Sequence, residues 1–303
     1  MLPKFNPLYG VNSYHTNQPD PSLSPLTPQF GTNIDSYQIG KPEIKDEMKP
    51  KGVSITFHSI TEPNLGVRKT MEDFVITDDD IIKDGRFAAF IVLDGHGGAD
   101  VVKFVKNSYP RVLRETFQKY KDSSDLKEMV KKSLITIEGM IKMSGGRDCG
   151  TTFCGLFIDK QTKTCLAANI GDSRMLRTNP GTFITSEHKV SNEAEAKRIL
   201  SSGGTIFKGR VGGTLMITRS LGDIELKPYG ISSEPELIPF PAQPAMYAIA
   251  SDGIWDKIEA PQFDRLAISH TRKSLSELGT AVVNAAIKAG SNDNISLILV
   301  VIE

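Results

Sequence analysis

The chain has 303 residues and a mass of 33.2 kDa, enough for one large domain or two ordinary ones. It is 39% hydrophobic and 24% charged, which suits a soluble globule with a sizeable core. Lysine and arginine together number 36, as do aspartate and glutamate, so net charge points neither to nucleic acid nor to an anionic membrane surface. No apolar run approaches the length of a membrane span, and the start, Met1-Leu2-Pro3-Lys4, does not read as a secretory signal. Cys149, Cys154 and Cys165 are odd in number and lack metal spacing. They read as buried free thiols of a reducing compartment, cytoplasm or nucleus.

Residues 1–52 predict a flexible Pro-rich tail: eight of the 17 prolines fall in the first 50 positions, with no lasting apolar period. Ser24 and Thr27 each precede proline and could accept phosphate there, although such dipeptides are common by chance. Folding is expected from Val53 to Glu303. Val53, Ile55 and Phe57 alternate with polar residues as in a half-buried strand. The apolar run 87–93 reads as a buried strand, stopping at Asp94-Gly95-His96-Gly97-Gly98. A helix is predicted over 99–118, disturbed at Pro110. A second, from Asp125 or the residue before it to 143, buries Leu126, Met129, Val130, Leu134, Ile137 and Ile141 at helical spacing.

Strands follow over 150–158 and 163–176. Asn192 to Glu195 resembles a capping box opening a short helix, and Ser274 to Glu277 resembles another. The Gly-rich run 209–215 lacks the spacing of a phosphate-binding loop and receives no such role. Strands outnumber helices, and many are joined by short turns. That favours an α+β architecture of antiparallel sheet with helices packed outside it.

A carboxylate at a strand tip beside a glycine suits a hard cation, but taken alone the Asp94 corner is equally an ordinary turn with Asp94 capping the helix. Repetition separates these readings. The runs 246–250, 165–170 and 295–302 are also bordered by acids, at Asp252, Asp172 and Asp293. Four carboxylates gathered on one rim would repel unless cations neutralised them, the pattern of a polynuclear Mg²⁺ or Mn²⁺ site.

Arg68-x-x-Met71-Glu72-Asp73, Asp94-Gly95-His96-Gly97-Gly98, Gly150-Thr151-Thr152, Gly171-Asp172-Ser173-Arg174, Glu187-His188-Lys189, Arg219 to Asp223, Asp252 to Asp256 and Asp293-Asn294 follow one another in the order found in the metal-dependent protein serine/threonine phosphatases of type 2C. The resemblance covers residues 53–303. It implies a four-layer α-β-β-α sandwich, two central antiparallel sheets flanked by helices, with two Mn²⁺ or Mg²⁺ ions at one edge and a weaker third in some members. It implies that Asp94 bridges the metals, with the Gly95 carbonyl, Asp252 and Asp293 completing their protein ligands. Glu72 and Asp73 would hold metal-bound waters, and Asp172 would serve the third position. Arg68 would grip the phosphate, and His96 would protonate the departing oxygen after attack by a metal-bridging hydroxide. Substrates would be phosphorylated proteins, with no nucleic acid or membrane partner, and the chain a monomer. Arg174, Arg219, Asp223 and His188 are read as structural, and Trp255 as core. Glu187 and Val190 depart from the family's more usual Asp and Pro. A silent member serving only as an interaction module would be marked by loss of Asp94, Asp252, Asp293 or Arg68, and all four are present.

Overall fold

The computed structural model describes residues 53–123, 125–145 and 148–303; the tail expected over 1–52, with Ser24 and Thr27, lies outside the described residues. In chain order the strands are β1 (Ile55–Glu62), β2 (Asp73–Asp78), β3 (Phe87–His96), β4 (Gly150–Thr151), β5 (Phe153–Asp159), β6 (Thr164–Ile170), β7 (Arg174–Arg177), β8 (Thr182–Phe183), β9 (Ile206–Phe207), β10 (Arg210–Val211), β11 (Leu221–Gly222), β12 (Glu236–Pro241), β13 (Ala245–Ala250) and β14 (Ile295–Ile302). The helices are α1 (Asp100–Lys119), α2 (Leu126–Ser144), α3 (Glu193–Ser201), α4 (Asp252–Trp255), α5 (Ala260–Ser269) and α6 (Leu275–Lys288).

One antiparallel sheet runs β1-β14-β13-β7-β8, and the other runs β11-β4-β3-β5-β6-β12 with β2 paired to β3. Period-2 alternation along β3 divides its side chains between two cores. Phe90 and Val92 meet Tyr247, Ile249 and Ile298 of the facing sheet. Ala89, Ile91 and Leu93 pack beneath α1 and α2, among Val102, Val105, Tyr109 and Leu134. β14 divides likewise, with Leu297 and Leu299 packed against Ile254, Phe263 and Val282 of α4, α5 and α6. The result is the expected α-β-β-α order of layers. Strands covered on both faces read as unbroken apolar runs, which is how 87–93 and 295–302 look in the sequence. Each such side chain contributes ~1.5–3 kcal/mol when fully buried, so these cores fix the layering.

Three local expectations meet different fates. α1 runs unbroken through Pro110, because the carbonyl that proline leaves without a donor belongs to the exposed Lys106, where water can reach it. Ser274 and Glu277 form the predicted reciprocal capping box on α6. Asn192 caps α3 through the Ala194 N–H, but Glu195 does not complete a box. Its carboxylate turns inward to Arg198, Thr218 and Arg219, where charged donors hold it more strongly than a backbone N–H would.

Antiparallel pairing also explains why some of the acids follow their strands while others precede them. The end of β3 lies beside the start of β2, and the end of β13 beside the start of β14, so residues on opposite flanks meet on one rim.

Candidate active site

Asp94 lies near the end of β3, where its backbone N–H donates to Thr152 Oγ1 (3.1 Å) and its carbonyl accepts from the Thr152 N–H (2.8 Å). The next residue has to be glycine. A Cβ on Gly95 would lie 2.7 Å from Val102 Cγ1 and 2.8 Å from the Glu72 carbonyl, which itself accepts from the Gly95 N–H. Gly253 is similarly constrained: a Cβ there would lie 2.0 Å from the Asn294 carbonyl, so Asp252 reaches the rim only because its neighbour lacks a side chain. Carboxylate oxygens of Asp94, Asp172 and Asp252 all lie within 4.8 Å of one another. The β2–β3 register sets Asp73 directly opposite Asp94. Like charges facing across a ladder destabilise it unless something neutralises them.

The electrostatics are those of acids crowded out of water. Burial, followed by the charges of Asp73, Asp252, Asp172 and Asp293, raises the Asp94 pKa well above the usual carboxylate range. Burial, and then Asp172 and Asp293, lifts Asp252 to about 8. Burial lifts Asp73 to about 6, although it accepts a 2.7 Å hydrogen bond from Ser251 Oγ. Among the described residues, no lysine or arginine lies within ion-pair distance of Asp94 or Asp252. Such a donor set, all oxygen, buried and mutually repelling, fits a hard divalent cation.

A cavity of about 330 Å³ opens over these carboxylates, and Arg68, Glu72, His96 and Asp293 reach it. Asp293 stands apart from the tight trio and pairs with Arg68, whose Nε also donates to the Asn292 carbonyl at 2.9 Å. Asp172, given a secondary place in the sequence reading, belongs to that trio, and Asp293 does not. The Arg68 loop is fixed by two asparagines. Asn64, at φ 52°, donates to the carbonyls of Ser291 and Asp293, and Asn294 accepts from the Glu72 N–H while donating to Pro63 and Thr70.

Three contributors were missed in the sequence. Asp223, read there as structural, holds His96: its carboxylate lies 2.7 Å from the imidazole Nε2 and accepts from Ser220 Oγ at 2.6 Å. The strand order β3-β4-β11 brings them together across Gly150, where a Cβ would lie 2.2 Å from Asp223 Oδ2 and 2.8 Å from His96 Nε2. The Gly-rich run supplies a wall of the cavity through Arg210 and Leu215, continued by Met216 and Ile217. Lys189 reaches in from the wall's base, with Nζ 3.2 Å from Asp172 and 3.6 Å from Asp256. His188 stays out of the site. Burial, followed by nearby Arg219, lowers its pKa to about 4, and its Nδ1 accepts from the Gly171 N–H at 3.1 Å.

Comparison with known proteins agrees with this geometry. The family model for protein phosphatase 2C matches residues 60–295. A probable protein phosphatase 2C 32 of Oryza sativa subsp. japonica is 31% identical over 249 residues, covering 77% of this chain and 62% of its own length. The Caenorhabditis elegans protein phosphatase fem-2 is 30% identical over 223 residues, covering 69% of this chain and 49% of its own length. This chain thus spans less than two thirds of either relative. A solved C. elegans sex determining protein superposes with a TM-score of 0.73 at 26% identity, over 82% of this chain and 65% of that one. The catalytic domain of the serine threonine protein phosphatase PstP, in complex with two manganese ions, shares the fold at a TM-score of 0.56 and 18% identity, over 82% and 99% of the two chains. The chain belongs to the protein phosphatase 2C family.

Proposed function

We propose that the chain is a metal-dependent protein serine/threonine phosphatase that hydrolyses phosphoserine and phosphothreonine. The observation that carries this reading is the convergence of Asp94, Asp172 and Asp252, distant in sequence, under a cavity that also contains an arginine and a histidine. Asp94, the Gly95 carbonyl, Asp252 and Asp293 would hold two Mn²⁺ or Mg²⁺ ions, with Asp172 contributing to a weaker third and Glu72 and Asp73 orienting bound water. Bound there, the ions would supply Lewis-acid activation of water and neutralise charge on the phosphate.

The chain's own groups do the rest. Arg68 is half-exposed at the cavity mouth, and its planar fork can take two phosphate oxygens when it gives up Asp293. His96 delivers a proton to the departing serine or threonine oxygen. With Nε2 committed to Asp223, Nδ1 is the nitrogen left for this task, and Asp223 keeps the ring from turning. Leu215, Met216 and Ile217 offer an apolar wall to residues flanking the phosphorylated one. Release of inorganic phosphate from a phosphothreonine peptide and from p-nitrophenyl phosphate, with Mn²⁺ and with chelator, tests the reading. Turnover of both with Mn²⁺ and neither with chelator is expected. Tight Mn²⁺ binding without turnover of either would leave the interaction-module reading in its place.

A further inference from the structure

The acids around the cavity are not equally supplied with countercharge. Arg68 holds Asp293, and Asp94 and Asp252 have no cationic partner among the described residues. Asp172 and Asp256 share a single ammonium, that of Lys189, with Glu187. Lys189 is held from both ends. Its side chain is only 18% exposed, and its backbone pairs with Ile217, while the Val190 N–H donates to the Met216 carbonyl. A third acid, Glu187, lies 3.2 Å from the same Nζ and is more exposed than Asp172. Glu187 also lies 3.7 Å from Arg174 Nε, a buried donor with no hydrogen-bond acceptor. Because the ammonium already donates to Glu187, it can leave Asp172 without losing all countercharge.

We propose that Lys189 is a tethered cation that stands between Asp172 and Asp256 in place of a divalent ion, so that a further divalent ion binds these two carboxylates only by displacing the ammonium, which then keeps Glu187 alone. The inference rests on the reading of the carboxylate rim as a metal centre. It explains on local grounds why a third ion would be weak. Such an ion gains Asp172 and Asp256 but must first break two charge-assisted contacts 3.2 Å and 3.6 Å long. It also joins metal occupancy to the wall of the substrate cavity, because the residue displaced is the one whose backbone fixes Ile217. The tether offers the chain a compromise. Without any cation, Asp172 would be buried and unpaired, which is costly. With the ammonium in place, the remaining acids can take divalent ions without the whole rim demanding them.

The test counts ions rather than turnovers. The full chain, stripped with chelator, is titrated with MnCl₂ while electron paramagnetic resonance reports free Mn²⁺, for wild type, Lys189→Met and Lys189→Arg. Removing a unit charge this close to two carboxylates should tighten the weakest class of Mn²⁺ by about tenfold or more in Lys189→Met. Lys189→Arg, which keeps the charge, should follow wild type. Superimposable isotherms for wild type and Lys189→Met, with the tight ions still bound, would overturn this inference and leave the phosphatase reading standing. Equal tightening in both variants would overturn it too, since packing and not charge would be responsible. If wild type bound no Mn²⁺ at all, both readings would fall together. Should Lys189→Met fail to fold, the native chain answers by amine acetylation read by mass spectrometry. Labelling of Lys189 should rise over the Mn²⁺ range that fills the weakest class, while the exposed Lys273 stays constant; an unchanged Lys189 would count against displacement.

Discussion

Two groups of acid shielded from water, Glu195 and the rim of Asp73, Asp94 and Asp252, are built to opposite ends. Glu195, 4% exposed, accepts from Arg198, Thr218 and Arg219. Burial alone would push its pKa up, but those donors outweigh it and hold the carboxyl below the usual range. In the rim, Asp73 is buried and Asp94 and Asp252 are half-buried, yet all three are left without charged donors, and desolvation with mutual repulsion carries their proton affinities upward. A buried carboxylate that is fully paired steadies the fold; one left short of positive charge stores a demand for it. The difference distinguishes the scaffold under the cavity wall from the floor of the cavity itself.

Breaking each group should therefore give opposite phenotypes. Asp94→Ala should cut phosphatase activity by about a thousandfold or more and abolish tight Mn²⁺ binding, because the proposed function makes Asp94 the central oxygen ligand. In chelator, however, its melting temperature should equal or exceed that of wild type, since one of the repelling charges has been removed. A clearly less stable metal-free Asp94→Ala would sink the idea that this rim is electrostatically strained. Glu195→Ala should do the reverse. Leaving two arginines beside an empty buried site costs about 3 kcal/mol of stability by urea denaturation, with Mn²⁺ stoichiometry retained.

A smaller effect is expected at Asp223, a buried acid that touches His96 and lies outside the carboxylate rim. Asp223→Asn keeps the shape but lets the amide present a donor to His96, so the ring loses its fixed orientation. Turnover of a phosphothreonine peptide should fall by about tenfold to a hundredfold. p-Nitrophenyl phosphate, whose leaving group needs little proton assistance, should lose much less, and KM should stay near wild type for both. Equal losses on the two substrates would reduce Asp223 to a packing role. A His96→Ala/Asp223→Asn double variant no worse than His96→Ala alone would show that the two residues act as one unit.

The sandwich was legible because its signals are local and redundant. Strands 87–96 and 295–302 carry unbroken apolar runs, and α2 repeats its buried residues at helical spacing. The convergence of Asp94, Asp172 and Asp252 was legible because each flanks an apolar strand. What escaped is what depends on a long-range choice between partners. Glu195 has the spacing of a capping residue, and only the fold reveals that two arginines and a threonine compete for it. Asp223 looks like the end of a loop until the β4–β11 pairing carries it to His96. Arg210 sits in a glycine-rich run without any known phosphate-loop spacing, and the cavity it lines does not exist until residues 206–217 fold over the rim. Glycine gave a usable clue in one place. Gly150 lies where His96 and Asp223 need space, and its neighbours Thr151 and Thr152 hold the Asp94 carbonyl.

The smallest expected effect links the two groups through pH. In the metal-free chain Asp252 titrates at about 8 and Asp73 at about 6, whereas both titrate at about 3.9 when unfolded. Over that window the folded state holds protons that the unfolded state has released, so stability falls as pH rises. The contribution is complete below about pH 4 and lost once pH passes about 8. Glu195 works the other way: its lowered pKa gives stability that is present above the ordinary Glu range and fades only in strong acid. The buried His188, held at about 4, contributes with the opposite sign up to its ordinary value of about 6.5. Between about pH 6.5 and 8 that contribution is complete and the rim dominates, and the melting temperature in chelator should drop by roughly 5 °C on the usual conversion for a domain of this size. Saturating Mn²⁺ should remove or invert that slope, since ion binding requires the carboxylates to give up their protons. A melting temperature in chelator that stays level or climbs across this range would mean that the rim already finds its countercharge within the chain, and the contrast with Glu195 would disappear.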